Sequence, residues 1–206
     1  MPVIANGRGW ISLASVRLTR VRLFGCPVAA NAVCAAALLL SEYIDSAGRK
    51  KKGNYFLRGF TTSRALCQVA DLLGTQTFQH MPLQLHRERD TVDVEIPNLF
   101  SGRLNLDRCP SSGEQMQLEH LFENNHCGFL RARKNIWSVA LEKTHWEIRS
   151  RSAELRNTVL LDEVGAEFRF AFDTSDARGC WHLPQRVQSG FPTADEPVAS
   201  SRLSPS

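Results

Sequence analysis

The chain has 206 residues, of which 43% are apolar, 22% charged and 8% aromatic. This ordinary globular composition excludes a wholly disordered chain, a collagen-like repeat and a small disulfide scaffold. The net charge of +4 sits in residues 1–41, which hold Arg8, Arg17, Arg20 and Arg22 and no acid, while residues 42–206 balance 21 basic against 21 acidic side chains, so no broad basic domain argues for nucleic acid.

Residues 1–60 carry two readings. Residues 1–26 are basic and acid-free, as an organellar transit segment is. FLRGFTTSRAL, with Arg58, Phe60 and Ser63, resembles the cleavage region of mitochondrial presequences. The other reading is a folded helix. Leu23 to Ser41 is a run of 19 residues without a charge, too rich in Ala, Pro27 and Asn31 to read as a membrane span. Pro27 suits a first helical turn and Gly48 a stop, which predicts an Ala-rich helix from Pro27 to about Ala47. Arg49 to Lys52 then reads as a solvated helix end.

From Thr61 the punctuation sharpens. Thr62 or Ser63 caps a helix over 62–73 with Leu66, Val69, Ala70 and Leu73 on its apolar face. VADLLG also resembles part of a helix-turn-helix, with Ala70 and Gly74 at the separation that motif uses. Its recognition helix would run through Pro82, which breaks helices. The period then changes to two. Leu83 and Leu85, then Val92, Val94 and Ile96, predict a hairpin turning at Glu88–Asp90, followed by a strand at 102–107. Ser111 and Glu114 form a capping-box pattern opening a helix at 112–124 that buries Met116, Leu118, Leu121 and Phe122.

Two more hairpins are predicted. With Lys134-Asn135 as the turn, Ala132 faces Trp137, Leu130 faces Val139 and Gly128 faces Leu141. Residues 142–156 fit strand or helix, with the strand preferred. With Gly165-Ala166 as a second turn, Val159 and Leu161 face Phe172 and Phe170, and Phe168, Phe170 and Phe172 share one core face. Residues 186–206, with five Ser and three Pro, read as a disordered tail.

Chemical signatures are sparse. No phosphate-binding loop, nucleophile elbow or zinc-protease motif is present. The cysteines at 26, 34, 67, 109, 127 and 180 contain no C-x-x-C pair and, with no glycosylation sequon, favour a reducing compartment. Glu123-x-x-His126 and Glu142-x-x-His145 have the spacing of paired helix ligands, and His120, His126, Cys127 and His145 are suitable zinc ligand types. Their irregular spacing and context favour surface and core-edge histidines, so neither metal nor cofactor is expected. Arg131, Arg133 and Lys134 form a small basic face suited to an acidic partner or a phosphate.

These readings give an α+β fold: N-terminal helices followed by a mostly antiparallel six-to-eight-stranded sheet with one inserted helix. The domain division is 1–26 basic segment, 27–60 Ala-rich helix and linker, 61–185 globular domain and 186–206 tail. The expected function is a non-catalytic binding domain, taking a small apolar ligand or a protein partner on its sheet face. Nucleic acid and membrane are disfavoured, and the location is intracellular, mitochondrial or cytoplasmic. Two alternatives stand beside it: an enzyme with scattered Asp, Glu and His in an aromatic-lined cup, and a helix-turn-helix DNA-binding protein.

Overall fold

The computed structural model describes residues 2, 4–5, 8–23, 26–44, 50–72, 78–107, 112–122, 125–132, 135–181 and 185–187. A two-stranded ribbon, β1 (Ile4–Ala5) and β2 (Arg8–Gly9), precedes one large sheet. That sheet contains β3 (Ile11–Leu23), β4 (Cys26–Ile44), β5 (Lys50–Thr61), β6 (Phe78–His80), β7 (Gln84–Arg87), β8 (Thr91–Ile96), β9 (Phe100–Asn105), β10 (Asn125–Ala132), β11 (Asn135–Asn157), β12 (Ala171–Trp181) and β13 (Gln185–Arg186). Three helices interrupt it: α1 (Arg64–Leu72), α2 (Ser112–Phe122) and α3 (Val159–Glu163).

Neighbouring strands run β3-β4-β5-β10-β11-β9-β8-β7, with β12 and β13 on β11 and β6 on β5. The β5–β10 and β5–β6 pairs are parallel and the others antiparallel, so the sheet is mixed. Its two ends meet, because the Arg17 guanidinium on β3 donates to the Leu85 carbonyl on β7. Inside the curl Val33, Ala35, Phe60, Leu83, Ile96 and Leu160 form one core, flanked by Leu13, Met81, Leu85, Leu99 and Phe100.

The expected α+β fold with N-terminal helices is therefore corrected to a mostly β fold with a mixed sheet. The Ala-rich run is strand β4, and the reason lies in its surroundings. Ala32 through Leu38 are all buried, odd and even positions alike. A strand covered on both faces loses the polar alternation that betrays strands in a sequence. Packing then overrides the helix preference of alanine.

α1 forms where the Thr62/Ser63 signal places it, and the Leu66 amide donates to Ser63 Oγ at 3.3 Å. The helix-turn-helix is excluded because Phe78–His80, where a recognition helix would run, pairs with β5 as strand β6. The hairpin at 84–96 is present, with Leu85 opposite Val94. α2 also forms, but its buried side runs through Gln115 and Leu118, which leaves Met116 exposed. Ser111 of the capping box lies outside the described residues. The β10–β11 hairpin is two residues tighter than expected, with Ala132 opposite Asn135 and Leu130 opposite Trp137. A shift of two keeps every side chain on its expected face. Residues 142–156 are strand, and Arg186 of the expected tail pairs with Trp137. Residues 188–206 lie outside the described residues.

The hairpin expected at 158–173 is replaced by α3 and a loop. Asn157 Oδ1 accepts from the Val159 amide at 3.1 Å, opening the helix. At the other end the Gly165 amide bonds Asp162 O and the Ala166 amide bonds Leu161 O, with Gly165 at φ +62°. That pair of bonds around a left-handed glycine closes a helix rather than a hairpin. Phe168 is consequently exposed, and Phe170 stacks on Trp10 at 5.6 Å between ring centroids. Gly165→Ala is expected to cost about 1 kcal/mol through the left-handed backbone alone, because no atom lies within 4 Å of the added methyl. Urea unfolding measures it, and no loss would remove the glycine from the helix stop.

Candidate active site

Alternation along β5 places Arg58 on the same face as Phe60, toward the core. The opposite wall is fixed by register. Arg151, Ala153 and Leu155 on β11 share a face with Leu104 and Gly102 on β9, and these with Val92, Val94 and Ile96 on β8. Ile96 is in the core, so Arg151 also faces inward. Arg58 and Arg151 thus lie on the core side of the sheet, each matched to an acid from another element.

The two matches differ in kind. Arg151 is paired with Asp173 of β12, and both side chains are buried, 8% and 13% exposed. Arg58 is at the rim, 39% exposed, and its partner Glu163 at the end of α3 is 50% exposed. One Glu163 oxygen lies 3.4 Å from Arg58 Nη1, while Nη2 donates to Gln79 Oε1 of β6 at 3.1 Å. The guanidinium carbon sits 5.0 Å above the centre of the Phe60 ring, and Phe60 itself is fully buried. An arginine over an aromatic face is held in place without using its hydrogen-bond donors.

A third pair on the outer face sets the scale. Arg103 Nε and Nη2 grip both Asp93 oxygens at 2.8 Å. The Arg103 hydrogen bonds hold the Asp93 carboxyl below its ordinary range. Its stabilisation is therefore present above the unfolded value near 3.8 and is lost as pH falls through the lower folded value. Charge-assisted N–H to carboxylate bonds run at about 2.7–2.9 Å, so the Arg58–Glu163 contact is long and one-toothed. Among the described residues, the contacts of Arg58 leave part of its donor capacity unused.

Cys34 and Cys127 are poorly placed for nucleophilic work. Burial pushes the Cys34 thiol up, and its Sγ donates to Thr61 Oγ1 at 3.2 Å. Burial also pushes Cys127 up, with Lys51 acting against it. β5 and β10 pack closely at Cys127, since a methyl at Gly53 would meet Cys127 O and a Phe129 ring carbon at 2.5 Å.

Among the residues singled out by sequence, Arg131 is exposed on β10, opposite Ile136. Arg133 and Lys134 lie outside the described residues, as does Glu123. His120 is exposed on α2 and Cys127 is half-buried on β10. Glu142 and His145 belong to strand β11, not to a helix on which a spacing of three would align them. Among the described residues no group of three or more His, Cys, Asp or Glu is placed to hold a metal ion. Sequence reasoning does not single out Arg58 as a site residue. Its partner Glu163 is 105 residues away, and no local pattern joins the two.

A family model, DUF2071, described as an uncharacterized conserved protein, matches residues 1–187. No curated protein matches the chain. Among solved structures, the chain is similar to the acetoacetate decarboxylase of Legionella pneumophila subsp. pneumophila str. Philadelphia 1. The TM-score is 0.59 at 11% identity, over 86% of this chain and 72% of that one. It is similar to the enduracididine biosynthesis enzyme MppR with HEPES buffer bound, with TM-score 0.47 at 14% identity over 76% of this chain and 65% of that one. An acetoacetate decarboxylase-like enzyme from Sphingomonas wittichii RW1 gives TM-score 0.44 at 10% identity, covering 77% and 69%. The likeness to the first of these establishes the fold, and it tells against the expectation of a non-catalytic binding domain.

Proposed function

We propose, from the premise that this chain belongs to the DUF2071 family, that it is an enzyme acting on a small organic acid whose carboxylate is held by Arg58. The fold supports an enzyme by its likeness to acetoacetate decarboxylase, which acts on a small oxo acid. The observation that carries the substrate class is the state of Arg58. It is core-facing, reachable from solvent, positioned by the Phe60 ring and bonded to its acid through one long contact. A carboxylate takes two parallel bonds from a guanidinium fork, which Glu163 at 3.4 Å does not supply.

Arg151 has a different role. Its partner Asp173 already occupies it in a buried site, so it shapes the interior and leaves ligand binding to Arg58.

The test is turnover of acetoacetate and related 2- and 3-oxo acids, followed by release of carbon dioxide and by loss of the acid. Arg58→Gln, at a half-exposed rim position, is expected to lower kcat/KM by about 10- to 100-fold, the worth of a hydrogen bond to a charged group. A variant with unchanged kcat/KM on an acid that the wild type turns over would remove Arg58 from the site.

A further inference from the structure

We propose that Glu163 is a specificity-determining residue of this site: it occupies the Arg58 guanidinium in the ligand-free protein, yields it to a substrate carboxylate, and selects monocarboxylates over dicarboxylates. The inference rests on the reading of Arg58 as the carboxylate anchor. Three observations carry it. First, the contact is the loosest of the pairs formed by Arg58, Arg103 and Arg151, one oxygen at 3.4 Å against two at 2.8 Å for Arg103–Asp93. Its members are also half-exposed, unlike Arg151 and Asp173. A pair in this setting contributes little and exchanges readily. Second, Arg58 does not depend on Glu163 for its position. The Phe60 ring beneath it and Gln79 Oε1 beside it hold the guanidinium when the acid leaves. Third, Glu163 is tethered nearby. It is the last residue of α3, whose Leu160 is anchored in the core and whose Leu160 amide bonds Leu99 O at 2.8 Å.

The consequence is one of charge. A bound carboxylate takes over the guanidinium, and the displaced Glu163 carboxylate stays beside it as an uncompensated negative charge. A monocarboxylate presents only its neutral remainder to that charge. A dicarboxylate brings a second negative group toward it and is rejected by repulsion. No bond is made or broken in this exchange.

The experiment is isothermal titration of the full chain with two probes of equal chain length, 2-oxopentanoate as the monoanion and 2-oxoglutarate as the dianion. It is run at neutral pH on wild type, Glu163→Gln and Arg58→Gln. Wild type is expected to bind the monoanion more tightly, and Glu163→Gln to tighten the monoanion by roughly threefold, as removal of a half-exposed competing charge should. The same substitution is expected to tighten the dianion by more, so that the preference shrinks toward one. Arg58→Gln weakens both probes. An unchanged monoanion-to-dianion ratio in Glu163→Gln, with Arg58→Gln still weakening both, overturns the role of Glu163 and leaves the anchor standing. Unchanged binding in Arg58→Gln overturns the anchor itself, and the inference with it.

Discussion

A chain beginning at Thr61 is expected to lose its cooperative unfolding transition altogether. The deleted strands are not an appendage. β4 is the neighbour of both β3 and β5, and β5 is the link through which β10, and so β11, joins them. Val33, Ala35 and Phe60 would leave the core cluster together. Loss of a buried Phe alone costs about 3–5 kcal/mol, against about 5–15 kcal/mol for a whole domain. The edges of β10 and β6 would also lose their parallel partner, leaving amide and carbonyl groups unpaired. Urea titration of residues 61–206 beside the full chain, followed by near-ultraviolet circular dichroism, measures the difference. Matching midpoints would mean that the core is complete without β3–β5.

The second large effect is at the buried pair. Arg151→Leu is expected to destabilise the protein by about 3–5 kcal/mol, because it leaves the Asp173 carboxylate in the interior without its counter-charge. Joint replacement, Arg151→Leu with Asp173→Leu, should recover most of that loss, since a buried ion pair is often no better than apolar side chains of similar volume. A double-mutant cycle in urea gives both numbers. A single-variant loss below about 1 kcal/mol would show that the pair is reached by water and contributes as a surface pair does.

Legibility in the sequence depends on how each element is buried. β7 and β8 have one wet face, so Leu85, Val92, Val94 and Ile96 alternate with polar residues and the hairpin is readable. From Ala32 to Leu38 β4 has no wet face, and this Ala-rich run carries neither alternation nor β-branched residues in quantity, so it reads as a helix. The 158–173 segment misleads for another reason. Gly165 is a sound turn signal, but a left-handed glycine serves a helix stop as well as a hairpin, and only its hydrogen bonds distinguish them. The site is the least legible part. In the sequence Arg58 and Phe60 stand out only for a resemblance to a leader cleavage region. Their stacking and the approach of Glu163 are products of tertiary structure, with no spacing rule behind them.

Gln115 shows how the long strand β11 avoids becoming a hazard. Ile148 and Ser150 pair with Thr174 and Phe172 of β12 along one edge, and they lie between the stretch that pairs with β10, ending at Ala140, and the stretch that pairs with β9, starting at Ser152. Gln115 Nε2 donates to Ile148 O and Gln115 Oε1 accepts from Ser150 N, each at 2.8 Å. A side-chain amide has the same donor and acceptor as a peptide group, so one residue of α2 stands in for a missing piece of strand. Such a gap is where a foreign strand could add itself and seed aggregation. The helix therefore works as a plug, and its chemistry is narrow. Glutamate in place of Gln115 would still accept from Ser150 but would set a charged oxygen against the Ile148 carbonyl, turning a sealed seam into an open one.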